Sequence, residues 1–292
     1  MSRTKTRKWL LYIAFVSPAV LLFTIFIMWP FLRAIVYSFQ DWNGISSEVK
    51  WAGWSNYTRM LSDTEFVRSF TFTLKYVVVS TILVNIVGFA LAFVLNMALK
   101  TKNALRTVFF LPHVVGSLII GFIFQFIITQ GFPQIASLTG ISIFAKNWLS
   151  LPSYAFWSLV LVSVWHYAGY LMVIYLAALQ GIPTDMIEAA QMDGAGRWRR
   201  LWNIILPLIM PAMTVCLFLA ISHGFKVFDL NFALTKGGPF GTTESLALHI
   251  YLDAFTKNEY TYGSAKAVVF FIVLASITVV QVFVMKRKEV EM

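Results

Sequence analysis

Little in this sequence can perform covalent chemistry. No G-x-x-x-x-G-K-[ST] loop, nucleophile elbow, HExxH or paired-cysteine motif occurs, so nothing here cradles ATP phosphates in that way. Two other constellations stand out. Three of the four histidines, His113, His166 and His223, lie within or at the ends of long apolar runs, where polar groups are costly and usually functional. Imidazole supplies donors and acceptors, and the nearby Trp165 supplies an apolar ring face. Two further readings stay open. Each histidine can hydrogen-bond a neighbouring helix, or the three can hold a metal, which requires them to meet at one depth with Asp229 as the nearby acid. The second constellation is the polar segment 181–211. Pro183 and Thr184 make a helix start, with Thr184 as cap and acids in the first turn. The helix carries Glu188, Ala189 and Ala190 and stops at Asp193-Gly194. Small alanines admit another backbone closely, and the glutamate offers a charge-assisted bond to a partner arginine. A solvated helical hairpin between two spans is the plainer alternative.

Composition says what scaffold must position these residues. The 292 residues are 59% hydrophobic and 12% charged, with a mean hydropathy of +0.74, whereas a soluble domain carries about 25% charged residues. Half that charge cannot clothe a water-facing surface, so lipid is the solvent for most of it. The predicted fold is an all-α polytopic membrane protein with six transmembrane helices, each near the ~20 apolar residues a bilayer needs. They are expected at 10–31, 70–99, 108–129, 154–179, 204–225 and 267–285. The first run is too long for a signal-peptide core and lacks a small-residue cleavage site. Asn85, Asn96 and Gln125 read as interhelical hydrogen bonds, and Gly88, Gly116 and Gly121 as points of close helix approach. Trp29, Trp148 and Tyr154 read as interfacial anchors, and Lys75 as a snorkelling side chain. Cys216 is the single cysteine, which leaves no intramolecular disulfide.

Orientation follows from the basic residues. Thirteen of the 23 lysines and arginines fall in 2–8, 100–106, 181–203 and 286–292, with five acids among them. The opposite loops, 39–69, 130–153 and 226–266, hold eight basic and eight acidic residues. The excess marks the cytoplasmic side and places both termini there. The net charge of +10 is therefore topological. It does not read as a nucleic-acid surface, which would be a soluble basic face interleaved with aromatics.

The string Glu188-Ala189-Ala190-x-x-Asp193-Gly194-Ala195, followed by x-Ile204-x-Leu206-Pro207-x-x-x-Pro211, resembles the EAA motif of binding-protein-dependent ABC importer permeases. Pro30 with Tyr37-Ser38-Phe39, Leu111-Pro112, Thr235-Lys-Gly237-Gly238-Pro239 and Thr242-Thr243-Glu244 are similar to the carbohydrate branch. Within that branch they resemble the larger-type subunit (MalF-like, multiple-sugar, glycerol-phosphate). The chain departs from the maltose protein in lacking its extra N-terminal spans and large external domain.

The resemblance implies a type I ABC importer permease fold, one permease domain over 1–292 with a coupling loop at 184–207. It implies that Glu188, Ala189, Ala190, Asp193, Gly194 and Ala195 dock an ATPase, and that Leu206 and Pro207 bend the chain into the fifth span. It places His113, Ser117, Ser163, His166, Tyr167, His223 and Gly224 on the substrate pathway, with Ala220 beside them and Lys226 and Asp229 near the outer mouth. The partners implied are a second homologous permease subunit, two copies of a cytoplasmic ATPase carrying ATP and Mg, an extracytoplasmic solute-binding protein, membrane lipid and a sugar, in a bacterial or archaeal cytoplasmic membrane. No cofactor or catalytic site is expected on this chain, and no nucleic acid. Glycerol phosphate, an amino acid or an osmolyte are the alternative cargoes. An ion-coupled secondary transporter would show a buried carboxylate relay or inverted repeats, and the predicted spans are nearly free of acids.

Overall fold

The computed structural model describes residues 2–97 and 99–287, without the side chains of 2–7 and 10. The side chains of Arg3, Lys5 and Arg7 and the residues Lys288, Glu289 and Glu291, all counted in the charge balance, lie outside the described part of the structure. Among the described residues five helices are long and apolar enough to cross a bilayer, and a bent pair makes up to a sixth. The chain divides into two compact units, one running to Asp63 and including Ile250–Phe271, the other comprising Thr64–His249 and the segment from Ile272.

The first unit opens with the span Leu11–Tyr37, none of whose most apolar stretch is buried. A π-helical turn interrupts it at Thr24–Met28, just before Pro30, whose missing N–H breaks the regular ladder. A two-stranded antiparallel hairpin follows, Gln40–Asp41 with Lys50–Trp51, and then a short helix, Ser55–Ser62. Buried Asn56 ties helix to hairpin by donating Nδ2 to the carbonyls of Ser38 and Gln40 at 3.0 and 2.9 Å.

The same unit holds an ionic cluster. Lys266, 1% exposed, donates to Asp63 at 2.7 Å and to Asp253, itself 2% exposed by its side chain. Tyr262 Oη donates to the same Asp63 oxygen at 2.8 Å, and Lys257 pairs with Asp253 at 3.0 Å. Lys266 is already the seventh residue of the final helix, Tyr260–Lys286, rather than the end of the outer loop 226–266.

In the second unit the fourth span, Pro152–Gln180, is the hub, with most of its apolar stretch buried. Small residues let its neighbours come close. A Cβ on Gly88 of the Thr64–Leu95 span would meet Leu171 at 3.1 Å and the Ala168 carbonyl at 3.2 Å. A Cβ on Gly169 would overlap the Phe109 carbonyl of the helix Lys102–Val114. Tyr175 Oη donates to Asn85 Oδ1 at 2.6 Å, the interhelical bond expected of that asparagine.

Two predicted spans are broken. The third stops at Val114, Val115 and Gly116 are extended, and the apolar helix restarts as Ser117–Thr139. Pro112 near the end of the first piece cannot donate to the ladder. Gly116 is therefore a helix cap with nothing within 4 Å of its Cβ position, not a packing point. Gly121 is one, against Ala233 and the Leu230 carbonyl. The fifth predicted span falls on a broken pair, Arg197–Leu208 and Met210–Phe225, whose axes are bent by 71°. The bend falls at buried Ile209, between Pro207 and Pro211.

Candidate functional site

The break at Val115–Gly116 creates a polar site in an apolar setting. With no helix to continue into, the Val115 carbonyl is free of the ladder, and His166 Nε2 lies 3.0 Å from it. His166 is 4% exposed, from the middle of the fourth span. His113 occupies the last turn before the break, its ring centroid 5.7 Å from that of His166. His223 lies in the last turn of Met210–Phe225, 6.4 Å from His166. The three predicted histidines thus converge from three helices.

Tyrosines bind them together. His223 stacks on Tyr167 with centroids 3.9 Å apart and planes within 7°. His113 stacks on Tyr170 at 4.6 Å and meets Tyr167 edge-on at 5.4 Å. Tyr170 was not anticipated, although its spacing of four from His166 puts both on one helical face. His113 Nδ1 is buried and has no hydrogen-bond partner among the described residues. Such a group costs free energy unless something pairs with it.

Ser117, His166 and His223 line a crevice with Lys226, Phe228 and Asp229 at its rim. Its volume is about 30 Å³, space for roughly two waters, whereas ligand pockets run to ~300–1,000 Å³. The crevice by itself is too small to enclose a ligand of that size. Lys226 and Asp229 are both exposed and of opposite sign, so the rim is close to neutral.

Other predicted positions fall elsewhere. Ser163 is buried in the fourth span and Ala220 in the fifth, and neither lines the crevice. Gly224 packs on the second span, where its Cβ would meet Val77 and Ser80. Trp165 turns away and lines a different, apolar groove with Val87, Leu91 and Pro112, packing edge-on against Phe124 at 5.2 Å.

The loop ahead of the fifth span forms a helix over Thr184–Met192. Pro183, not Thr184, is the extended residue before it, and no side chain caps it. Thr184 is the first helical residue, and its Oγ1 donates instead to Asp185 at 3.4 Å. The C-terminus closes where Gly194 takes φ +73° and the Ala195 N–H reaches the Ala190 carbonyl at 2.9 Å; a left-handed residue and this long-range bond end a helix cleanly. Glu188, Ala189, Asp193 and Gly194 are exposed, Ala195 is intermediate, and Ala190 is buried. Leu206 and Pro207 lie just before the 71° bend.

A family pattern described as "Binding-protein-dependent transport system inner membrane component" matches residues 84–289. The chain belongs to this family. Among the permease's relatives, a probable starch degradation products transport system permease protein, AmyD, of Thermoanaerobacterium thermosulfurigenes is 43% identical and covers 96% of each chain. A multiple sugar-binding transport system permease protein, MsmF, of Streptococcus mutans is 31% identical over 94% of this permease and 95% of its own length. The permease also superposes on a chain of a bacterial ABC transporter involved in the import of the acidic polysaccharide alginate. The TM-score is 0.84, covering 97% of this chain and 96% of that one, and at 23% identity the likeness is one of fold. The architecture is that of an ABC importer permease, an inner-membrane transport subunit.

Proposed function

We propose that this permease forms half of the translocation pathway for a neutral sugar, most simply a short oligosaccharide, in an importer driven by a separate ATPase. The observation that carries the cargo is the 43% identity, end to end, with a permease named for starch degradation products. The site is chemically consistent with it. Stacked imidazole and phenol rings offer apolar faces edged with donors and acceptors, which is how hydroxylated rings are held. The crevice is far smaller than a sugar, so a second homologous permease subunit would complete it. Lys226 beside Asp229 leaves no net cation for an anionic cargo such as glycerol phosphate.

In the same reading, the exposed face of Glu188, Ala189, Asp193 and Gly194, with Ala195 at its edge, docks the ATPase, and Ala190 holds that helix onto the permease. The 71° elbow at Ile209, which Leu206 and Pro207 lead into, would carry ATP-driven motion into the fifth span as a rigid lever. ATP and Mg belong to the ATPase, the docking helix and both termini face the cytoplasm, and an external binding protein delivers cargo. The test is a panel of maltose, longer maltooligosaccharides and glycerol phosphate on the purified complex with its binding protein. Stimulation of ATP hydrolysis by one or more maltooligosaccharides is expected. Stimulation by glycerol phosphate alone would overturn the cargo assignment.

A further inference from the structure

The Arg197–Leu208 helix carries side chains that neither the crevice nor the docking helix uses. Trp198 and Trp202 are four residues apart, hence on one face, and are 74% and 65% exposed. Arg197 and Arg199 are exposed and Arg200 half-buried. None of the three guanidiniums makes an ion pair or hydrogen bond among the described residues. No aspartate or glutamate occurs between Asp193 and Asp229, so this strip has no internal counter-charge.

Geometry says where the strip lies. The helix axis is bent by 71° from the Met210–Phe225 segment it feeds. Spans tilt about 20° from the bilayer normal, so the Arg197–Leu208 helix runs close to the membrane plane, at the end of a span. Indoles at that depth prefer the boundary between headgroup and acyl chain. Guanidiniums there meet phosphate oxygens, which their planar forks match. An acidic protein face would also attract the arginines but would leave two large indoles without an apolar counterpart.

We propose that Arg197, Trp198, Arg199, Arg200 and Trp202 form a docking site for anionic phospholipid, with phosphate on the guanidiniums and the glycerol–acyl boundary against the indoles. The site concerns the membrane and is independent of the cargo. Each arginine near an anionic surface is worth about a fivefold preference, so the three together supply on the order of a hundredfold.

The full chain in lipid nanodiscs provides the test. Indole emission is quenched by brominated phosphatidylglycerol or by brominated phosphatidylcholine at equal mole fraction. Subtracting the W198F/W202F variant isolates these two side chains from the other eight tryptophans. Expected is stronger quenching of the pair by phosphatidylglycerol, with the preference lost in R197Q/R199Q/R200Q. It should also fade for the unaltered chain in molar salt, where the Debye length is about 3 Å, a control that needs no variant. Equal quenching by both lipids, or none of this pair by either, would overturn the proposal. So would a glutamine variant that keeps its lipid preference but no longer co-purifies with the ATPase, since the strip would then belong to a protein interface.

Discussion

Around Lys266, every charge meets an opposite one. Asp63 and Asp253 close on the ammonium, Tyr262 adds a donor to Asp63, and Lys257 answers the remaining Asp253 oxygen. Around His166, whose own Nε2 meets the Val115 carbonyl, the flanking rings are stacked, His113 Nδ1 has no hydrogen-bond partner among the described residues, and the group opens onto a crevice. Both regions place costly polar groups in an apolar fold. The first is saturated, as a device that fixes geometry must be, because a buried charge without its partner is severely destabilising. The second keeps hydrogen-bonding capacity in reserve, which fits the pathway role proposed for it.

The contrast breaks most visibly at Lys266. Lys266→Met leaves two carboxylates facing each other and is expected to lower stability by about 3–5 kcal/mol, read as thermal loss of the monodisperse peak of detergent-solubilised protein. Adding Asp63→Asn and Asp253→Asn should recover much of that loss. If the single variant is as stable as the parent, the cluster is not saturated in the sense argued. Gly169→Ala forces a methyl against the Phe109 carbonyl, and overpacking of this kind costs about 1–3 kcal/mol by the same assay. His223→Ala removes a stack worth roughly 0.5–1.5 kcal/mol. Its effect on uptake should be larger, about tenfold or more in apparent sugar affinity, measured by initial rates in proteoliposomes. A variant that loses stability and keeps its affinity would move His223 from the pathway to the structural group. Trp165→Leu, next to His166 yet facing the apolar groove, should change stability by less than ~0.5 kcal/mol and leave uptake unaltered.

What could be read from the sequence was what depends on local pattern. Apolar runs marked where spans lie, and the residue types at fixed spacing from Glu188 to Pro207 marked a helix, a turn and a bend ahead of Met210–Phe225. Convergence of His113, His166 and His223 was foreseeable only through resemblance to a family. The breaks were harder to see. Pro112 and Gly116 are separately tolerated in membrane helices, and nothing local reveals that together they end one helix and start another. Trp165 was placed near the pathway by proximity in sequence and Gly224 by the family resemblance, but adjacent residues on a helix point about 100° apart: Trp165 faces the apolar groove and Gly224 the second span. Lys266 was hidden for another reason. A lysine at the edge of an apolar run resembles a loop residue until its acids, 13 and 203 positions away, are brought to it.

ATP-dependent uptake of a labelled maltooligosaccharide by the reconstituted complex carrying Glu188→Lys tests most directly whether the exposed loop helix transmits the ATPase's work. Reversing a charge at a docking surface sets like against like and costs several kcal/mol, so uptake and cargo-stimulated ATP hydrolysis should fall together by roughly tenfold or more. The permease itself should remain at parental levels in the membrane, because Glu188 is exposed. Parental rates of uptake in that variant would contradict the assignment.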